Sequence, residues 1–130
     1  MGHILIVDDD EAVRTSVCRL LRSQRYCACA VADGAEALSA MRAELPALVL
    51  LDVSMPGLSG LDVLRAARAD PALAGVPVVM LTANYDPRTR DEAVRLGARG
   101  FLVKGRDWPG SLWQVVEQFL GRQVSGTRYG

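Results

Sequence analysis

Four apolar runs end in residues that can do chemistry. Ile4–Val7 runs into Asp8, Asp9 and Asp10; Ala47–Leu51 into Asp52; Val76–Leu81 into Thr82; and Gly100–Val103 into Lys104. If the first and third runs lie side by side, at least three carboxylates converge. Like charges that close disfavour joint ionisation, and either raised pKa values or a bound cation relieves them. An all-oxygen, carboxylate-rich set suits Mg²⁺, which takes few protein ligands and keeps several waters. A hydroxyl and an ammonium on the opposite rim point to an anion sharing that ion. A phosphoryl group fits best, because a divalent cation and a lysine together neutralise its oxygens. One carboxylate would then act as nucleophile and form an acyl phosphate. Taken singly, each residue has a plainer role: Asp10 as a helix N-cap, Thr82 as a strand terminus, Lys104 as a solvated charge. Their joint placement at four run ends carries the chemistry.

The elements that must position these groups alternate along the chain. Strands are expected at His3–Val7, Tyr26–Val31, Ala47–Leu51, Val76–Leu81 and Gly100–Val103. Between them, helices are expected over residues 11–23, from an Asp33 N-cap to about Glu44, over Leu61–Ala69, from a Thr89–Glu92 capping box to Leu96 before Gly97, and from a Ser111–Gln114 capping box to about Leu120. Continuous apolar strands suit a parallel sheet covered on both faces. The expected class is α/β, a doubly wound sheet of five parallel strands, in which ligands bind outside the carboxyl ends of the strands.

Composition narrows the function. The 130 residues suffice for one ordinary domain. Fifteen basic and fifteen acidic residues cancel, which argues against general binding to nucleic acid or anionic membranes. No apolar run approaches a bilayer span, and the N-terminus carries no signal-peptide pattern, so a cytoplasmic location is expected. Cys18, Cys27 and Cys29 are read as free thiols rather than a metal site or disulfide framework. The single histidine, His3, excludes catalysis that needs an internal one. Fourteen arginines accompany a single lysine, Lys104. There a compact ammonium fits a phosphoryl site better than a broad guanidinium.

Ile4–Asp10, Leu50–Gly57, Val79–Ala83 and Gly100–Lys104 together resemble the response-regulator receiver domain of two-component signalling, from about residue 3 to residue 120. The resemblance implies a flavodoxin-like (βα)₅ fold with strand order 2-1-3-4-5. It implies a receiver domain over residues 3–121 and a tail or linker over 122–130. Asp52 would be the phosphoacceptor, supplied by a sensor histidine kinase or a phosphotransfer protein. Asp9, Asp52 and the Ser54 carbonyl would ligate Mg²⁺, with Asp8 acting mainly through a bound water. Thr82 and Lys104 would each engage a phosphoryl oxygen, and Thr82 with Phe101 would form the conformational switch. The domain would be a signalling phosphoacceptor rather than an enzyme, at most phosphorylating and dephosphorylating itself weakly. Its partners would be the kinase and a downstream protein or output domain, with no direct contact to nucleic acid or membrane. A homodimer would use the last helix and fifth strand, a surface flanked by Trp108 and Trp113.

One departure stands out. Gly105 follows Lys104 where the family usually has proline in a cis bond. A non-proline cis bond costs about 3 kcal/mol, so a trans bond and a less firmly placed Lys104 are expected. Gly105 is the sole support for the alternative, a pseudo-receiver that docks partners without phosphorylation. A dehalogenase-type phosphohydrolase is disfavoured, because Ser54 stands where those enzymes carry a second aspartate.

Overall fold

Every side chain of β1 (Ile4–Val7) is buried, which requires cover on both faces. The computed structural model describes residues 2–84, 86–104 and 108–121, and the cover comes from five helices around a five-stranded sheet. After β1 come α1 (Glu11–Ser23), β2 (Ala28–Val31), α2 (Gly34–Ala43), β3 (Leu48–Asp52) and α3 (Gly60–Ala69). Then follow β4 (Val78–Thr82), α4 (Pro87–Arg95), β5 (Gly100–Val103) and α5 (Gly110–Leu120). All strands are parallel, in the order β2-β1-β3-β4-β5.

Strand alternation divides the core in two. Ile4, Ile6, Leu48, Leu50, Val79, Leu81 and Leu102 pack with Val17 and Leu21 of α1 and Leu112, Trp113 and Val116 of α5. Leu5, Val7, Val49, Leu51, Val78 and Met80 pack with Ala37 and Met41 of α2, Val63, Leu64 and Ala67 of α3, and Ala93 of α4. Fully burying such side chains contributes about 1.5–3 kcal/mol each. Shifting any strand by one residue would exchange the two faces, so burial fixes the register. That register aligns Val7 with Leu51, Asp52 with Leu81, and Thr82 with Val103. The polar residues at the strand ends therefore meet on one rim.

The boundaries differ from expectation in ways that have local causes. Asp52 and Thr82 are the last residues of β3 and β4 rather than the first beyond them. β2 starts at Ala28, while Tyr26 is buried in the preceding turn, its amide on the Leu21 carbonyl. The helix α4 starts before the Thr89 capping box: Asp86 is the N-cap, accepting from the Arg88 amide at 3.2 Å and the Thr89 hydroxyl at 2.8 Å. Pro87, with no N–H to satisfy, fills the first helical position. The Ser111 box does not form either, since Ser111 lies inside α5 and the N-cap position is Pro109. The capping box that does form is Ser59 with Asp62 at α3, with bonds of 3.2 and 3.0 Å. Trp113 is buried and Trp108 half-buried against the α1–α5 core, so neither is an exposed anchor. Residues 122–130, expected to be a tail, lie outside the described residues.

Arg68 ties three segments together. Its guanidinium donates to the carbonyls of Ala74 at 3.0 Å, Val76 at 2.9 Å and Gly97 at 2.9 Å, joining α3, the loop before β4 and the turn after α4. Arg68→Met keeps the apolar stem and strands those carbonyls. A loss of about 2 kcal/mol is expected in urea unfolding, since bonds to charged donors are the stronger class. A midpoint equal to wild type would show that water replaces the guanidinium at no cost.

Candidate functional site

The carboxyl ends of β1, β3, β4 and β5 bring Asp8, Asp9, Asp52, Thr82 and Lys104 to one rim, with Ser54 beside them on the loop after β3. Oxygens of Asp8, Asp9 and Asp52 all lie within 4.8 Å of one another. Asp8 and Asp52 are buried, and Asp9 is exposed. Asp10 stands apart, capping α1 through its bond from the Ala12 amide at 2.8 Å.

Lys104 Nζ bridges the two buried acids, 2.7 Å from Asp8 Oδ2 and 3.0 Å from Asp52 Oδ1. Its amide donates to the Thr82 carbonyl at 2.8 Å, which anchors the lysine at the end of the sheet. The Lys104–Gly105 bond lies outside the described residues. Burial alone would lower the lysine's pKa, but Asp8 and Asp52 outweigh it and hold the ammonium above its ordinary value. Asp52 responds oppositely. Burial, aided by the charge of Asp8, pushes its carboxyl up to about 6, and Lys104 and the Ser54 amide only partly offset this. Two acids thus share one ammonium, and Asp8 Oδ2 accepts no hydrogen bond of good geometry. The three carboxylates form a cluster short of positive charge, and its all-oxygen donor set fits a hard divalent cation.

Thr82 borders the other side. Its hydroxyl donates to the Asn84 carbonyl at 2.5 Å and accepts from the Asn84 amide at 3.3 Å. A cavity of about 180 Å³ lies beyond it, bounded by Ser54, Asn84, Thr89 and Phe101 among others. Phe101 is half-buried at the edge of the core, with the Arg90 guanidinium 5.9 Å from its ring centre. Two residues that shape the rim carry no sequence motif. Arg14 Nη1 donates to the Asp8 carbonyl at 2.8 Å, and Gly60 passes so near Asp52 that a Cβ there would lie 2.1 Å from the Asp52 carbonyl oxygen. An arginine among the apolar positions of α1 and a glycine following a helix cap are the only traces either leaves in the sequence.

The Response regulator receiver domain family matches residues 4–112. The chain belongs to this family. The DNA-binding response regulator MtrA of Mycolicibacterium paratuberculosis is 41% identical over 102 residues, covering 78% of this chain and 44% of MtrA. This receiver domain therefore spans less than half the length of that relative. Among solved structures, the chemotaxis protein CheY4 of Vibrio cholerae superposes with a TM-score of 0.85 at 30% identity, covering 92% of this chain and 98% of that one. The receiver domain of sensor histidine kinase PA1611 from Pseudomonas aeruginosa superposes at 0.83 and 28% identity, covering 93% and 98%, and holds a magnesium ion in its active-site cleft. The expected fold and strand order of a receiver are both present. Its charged and hydroxyl groups are assembled on one rim, so the geometry gives the docking-only alternative no support. Receiver domains of response regulators take phosphoryl groups from histidine kinases.

Proposed function

We propose that this receiver takes its phosphoryl group on Asp52. The observation that carries this is the cluster itself: three carboxylates within 4.8 Å of one another, with a lone ammonium bridging the two buried ones. Mg²⁺, held by Asp9, Asp52 and the Ser54 carbonyl with Asp8 acting through water, would neutralise charge on the transferring oxygens. The Asp52 carboxylate attacks phosphorus. An oxygen–phosphorus bond forms as the donor's phosphorus–nitrogen bond breaks, and its imidazole leaves with the electron pair. Lys104 exchanges its contact with Asp52 Oδ1 for a phosphoryl oxygen. Thr82 gives up the Asn84 carbonyl to bond another, and Phe101 turns toward the space vacated beside it. Ligand binding of this kind shifts a population between two arrangements.

The donor is the phosphohistidine of a cytoplasmic sensor kinase or phosphotransfer protein. The reader is a downstream protein or an output domain, with copies of the receiver meeting through α5 and β5. No helix among the described residues is long and apolar enough to cross a membrane.

Incubation with Mg²⁺ and acetyl phosphate should add one phosphoryl group by intact mass, and Asp52→Ala should remain unmodified. No adduct on the wild type would leave the pseudo-receiver, while sustained turnover of phosphate esters would point to a hydrolase. Lys104→Arg tests the bridge separately. A planar guanidinium cannot replace a compact ammonium between Asp8 and Asp52. Uptake should fall about threefold, less than the tenfold scale of one lost charged contact. Trp108 shares a groove with Lys104, so phosphorylation of the wild type is expected to change Trp fluorescence, and that change should be lost in Lys104→Arg. An unchanged fluorescence response would make the lysine incidental.

A further inference from the structure

Asp9 differs from its two partners in how it is held. Asp8 is buried, with its amide on the Val31 carbonyl at 3.2 Å and one carboxylate oxygen on Lys104. Asp52 is paired within the sheet at the end of β3 and also meets Lys104. Asp9 is exposed, and none of the described residues hydrogen-bonds its carboxylate. Its position is therefore set by its backbone, and both flanking peptide groups are gripped. The peptide after it donates from the Asp10 amide to Asp8 Oδ1 at 2.9 Å. The peptide before it is held through the Asp8 carbonyl, which accepts from Arg14 Nη1 at 2.8 Å.

The reach from Arg14 follows from helix geometry. Its amide bonds the Asp10 carbonyl in the first turn of α1, and side chains on a helix lean toward its N-terminus. The half-buried guanidinium thus returns over that turn to the end of β1.

We infer that Arg14 is a positioning residue for the cation site, fixing the Asp8–Asp9 peptide and through it the Asp9 carboxylate. This rests on the phosphoacceptor reading and adds to it a residue that touches neither cation nor phosphoryl group. Supporting groups one step removed from a metal typically change its affinity about 10–100-fold.

The sign of the effect separates positioning from simple electrostatics. Removing a positive charge beside a cation site should tighten cation binding if charge alone matters. Removing a residue that orients a ligand should weaken it. The test is calorimetric titration of Mg²⁺ into the unphosphorylated full chain, comparing wild type, Arg14→Met and Arg14→Lys. Arg14→Met is expected to weaken Mg²⁺ about tenfold, and Arg14→Lys, which can still reach the carbonyl, to recover most of that loss. Without metal, the Asp9 and Asp10 amide resonances should shift in Arg14→Met while those of β3 stay in place, showing a local loss of order in a folded protein. Equal or tighter Mg²⁺ binding by Arg14→Met, with wild type binding normally, overturns the inference and leaves the phosphoacceptor reading intact. A wild type that binds no Mg²⁺ overturns both.

Discussion

Asp52→Asn is expected to stabilise the metal-free protein by about 2 kcal/mol at neutral pH while abolishing Mg²⁺-dependent phosphoryl uptake. Burial first, and Asp8 second, raise the folded pKa of Asp52 to about 6. The unfolded chain holds that proton less tightly, with a pKa of about 3.9. Stability from this group is therefore fully present below about pH 4 and is lost as pH rises toward about 6, beyond which the cost is constant. The amide carries no charge, so the gap between variant and wild type should open across that window and plateau above it. Two pKa units correspond to about 3 kcal/mol, and the part left after rim hydration and re-pairing of Lys104 with Asp8 is about 2 kcal/mol. Mg²⁺ should narrow the gap, because an ion that binds only the folded form stabilises it by mass action and the amide is the poorer ligand. Thermal melts at several pH values, with and without Mg²⁺, supply every comparison. A variant less stable than wild type at pH 7 without metal would show that the Asp52–Lys104 pair outweighs the cost of burial.

That cost explains why the site was legible from the chain. A carboxylate buried at the end of a continuous apolar strand is costly unless something pairs it, and Asp8 and Asp52, at the ends of two such strands, share one ammonium. The β-α alternation and the continuous apolar strands carried the fold, and the register then brought the strand ends together. Helix starts were less legible. Thr89–Glu92 and Ser111–Gln114 both match a capping box in spacing, yet Asp86 with Pro87 and the turn at Pro109 start those helices earlier. Local motifs compete for a helix end, and packing selects among them. Contacts between residues distant in sequence, such as Arg68 on the Gly97 carbonyl, left no pattern at all. The grip of Arg14 on Asp8 spans only six positions and was equally hidden, because a guanidinium's target depends on where the first helical turn lands.

Gly60→Ala is expected to be the most damaging glycine-to-alanine change among the described residues. Gly60 opens α3 against the end of β3, its amide donating to the Val53 carbonyl at 2.9 Å. A Cβ there would lie 2.1 Å from the Asp52 carbonyl oxygen, 2.9 Å from its carbonyl carbon and 3.0 Å from Val53 Cα. All three are backbone atoms, so no side chain can swing away. Neither partner is free to retreat. β3 is paired with β1 and β4, while α3 is pinned by the Ser59–Asp62 box and by buried Val63, Leu64 and Ala67. Overpacking of this severity should cost about 3 kcal/mol, at the upper end of the usual range. The displacement falls on Asp52 itself, so phosphoryl uptake by the molecules that remain folded should drop as well. Gly110→Ala is the control: it also sits in the first turn of a helix, but its new methyl meets nothing within 4 Å. Denaturant midpoints for the two variants should differ widely, with Gly110→Ala close to wild type. Equal midpoints would mean that β3 and α3 separate freely, and that the close approach at Gly60 does not hold Asp52 in place.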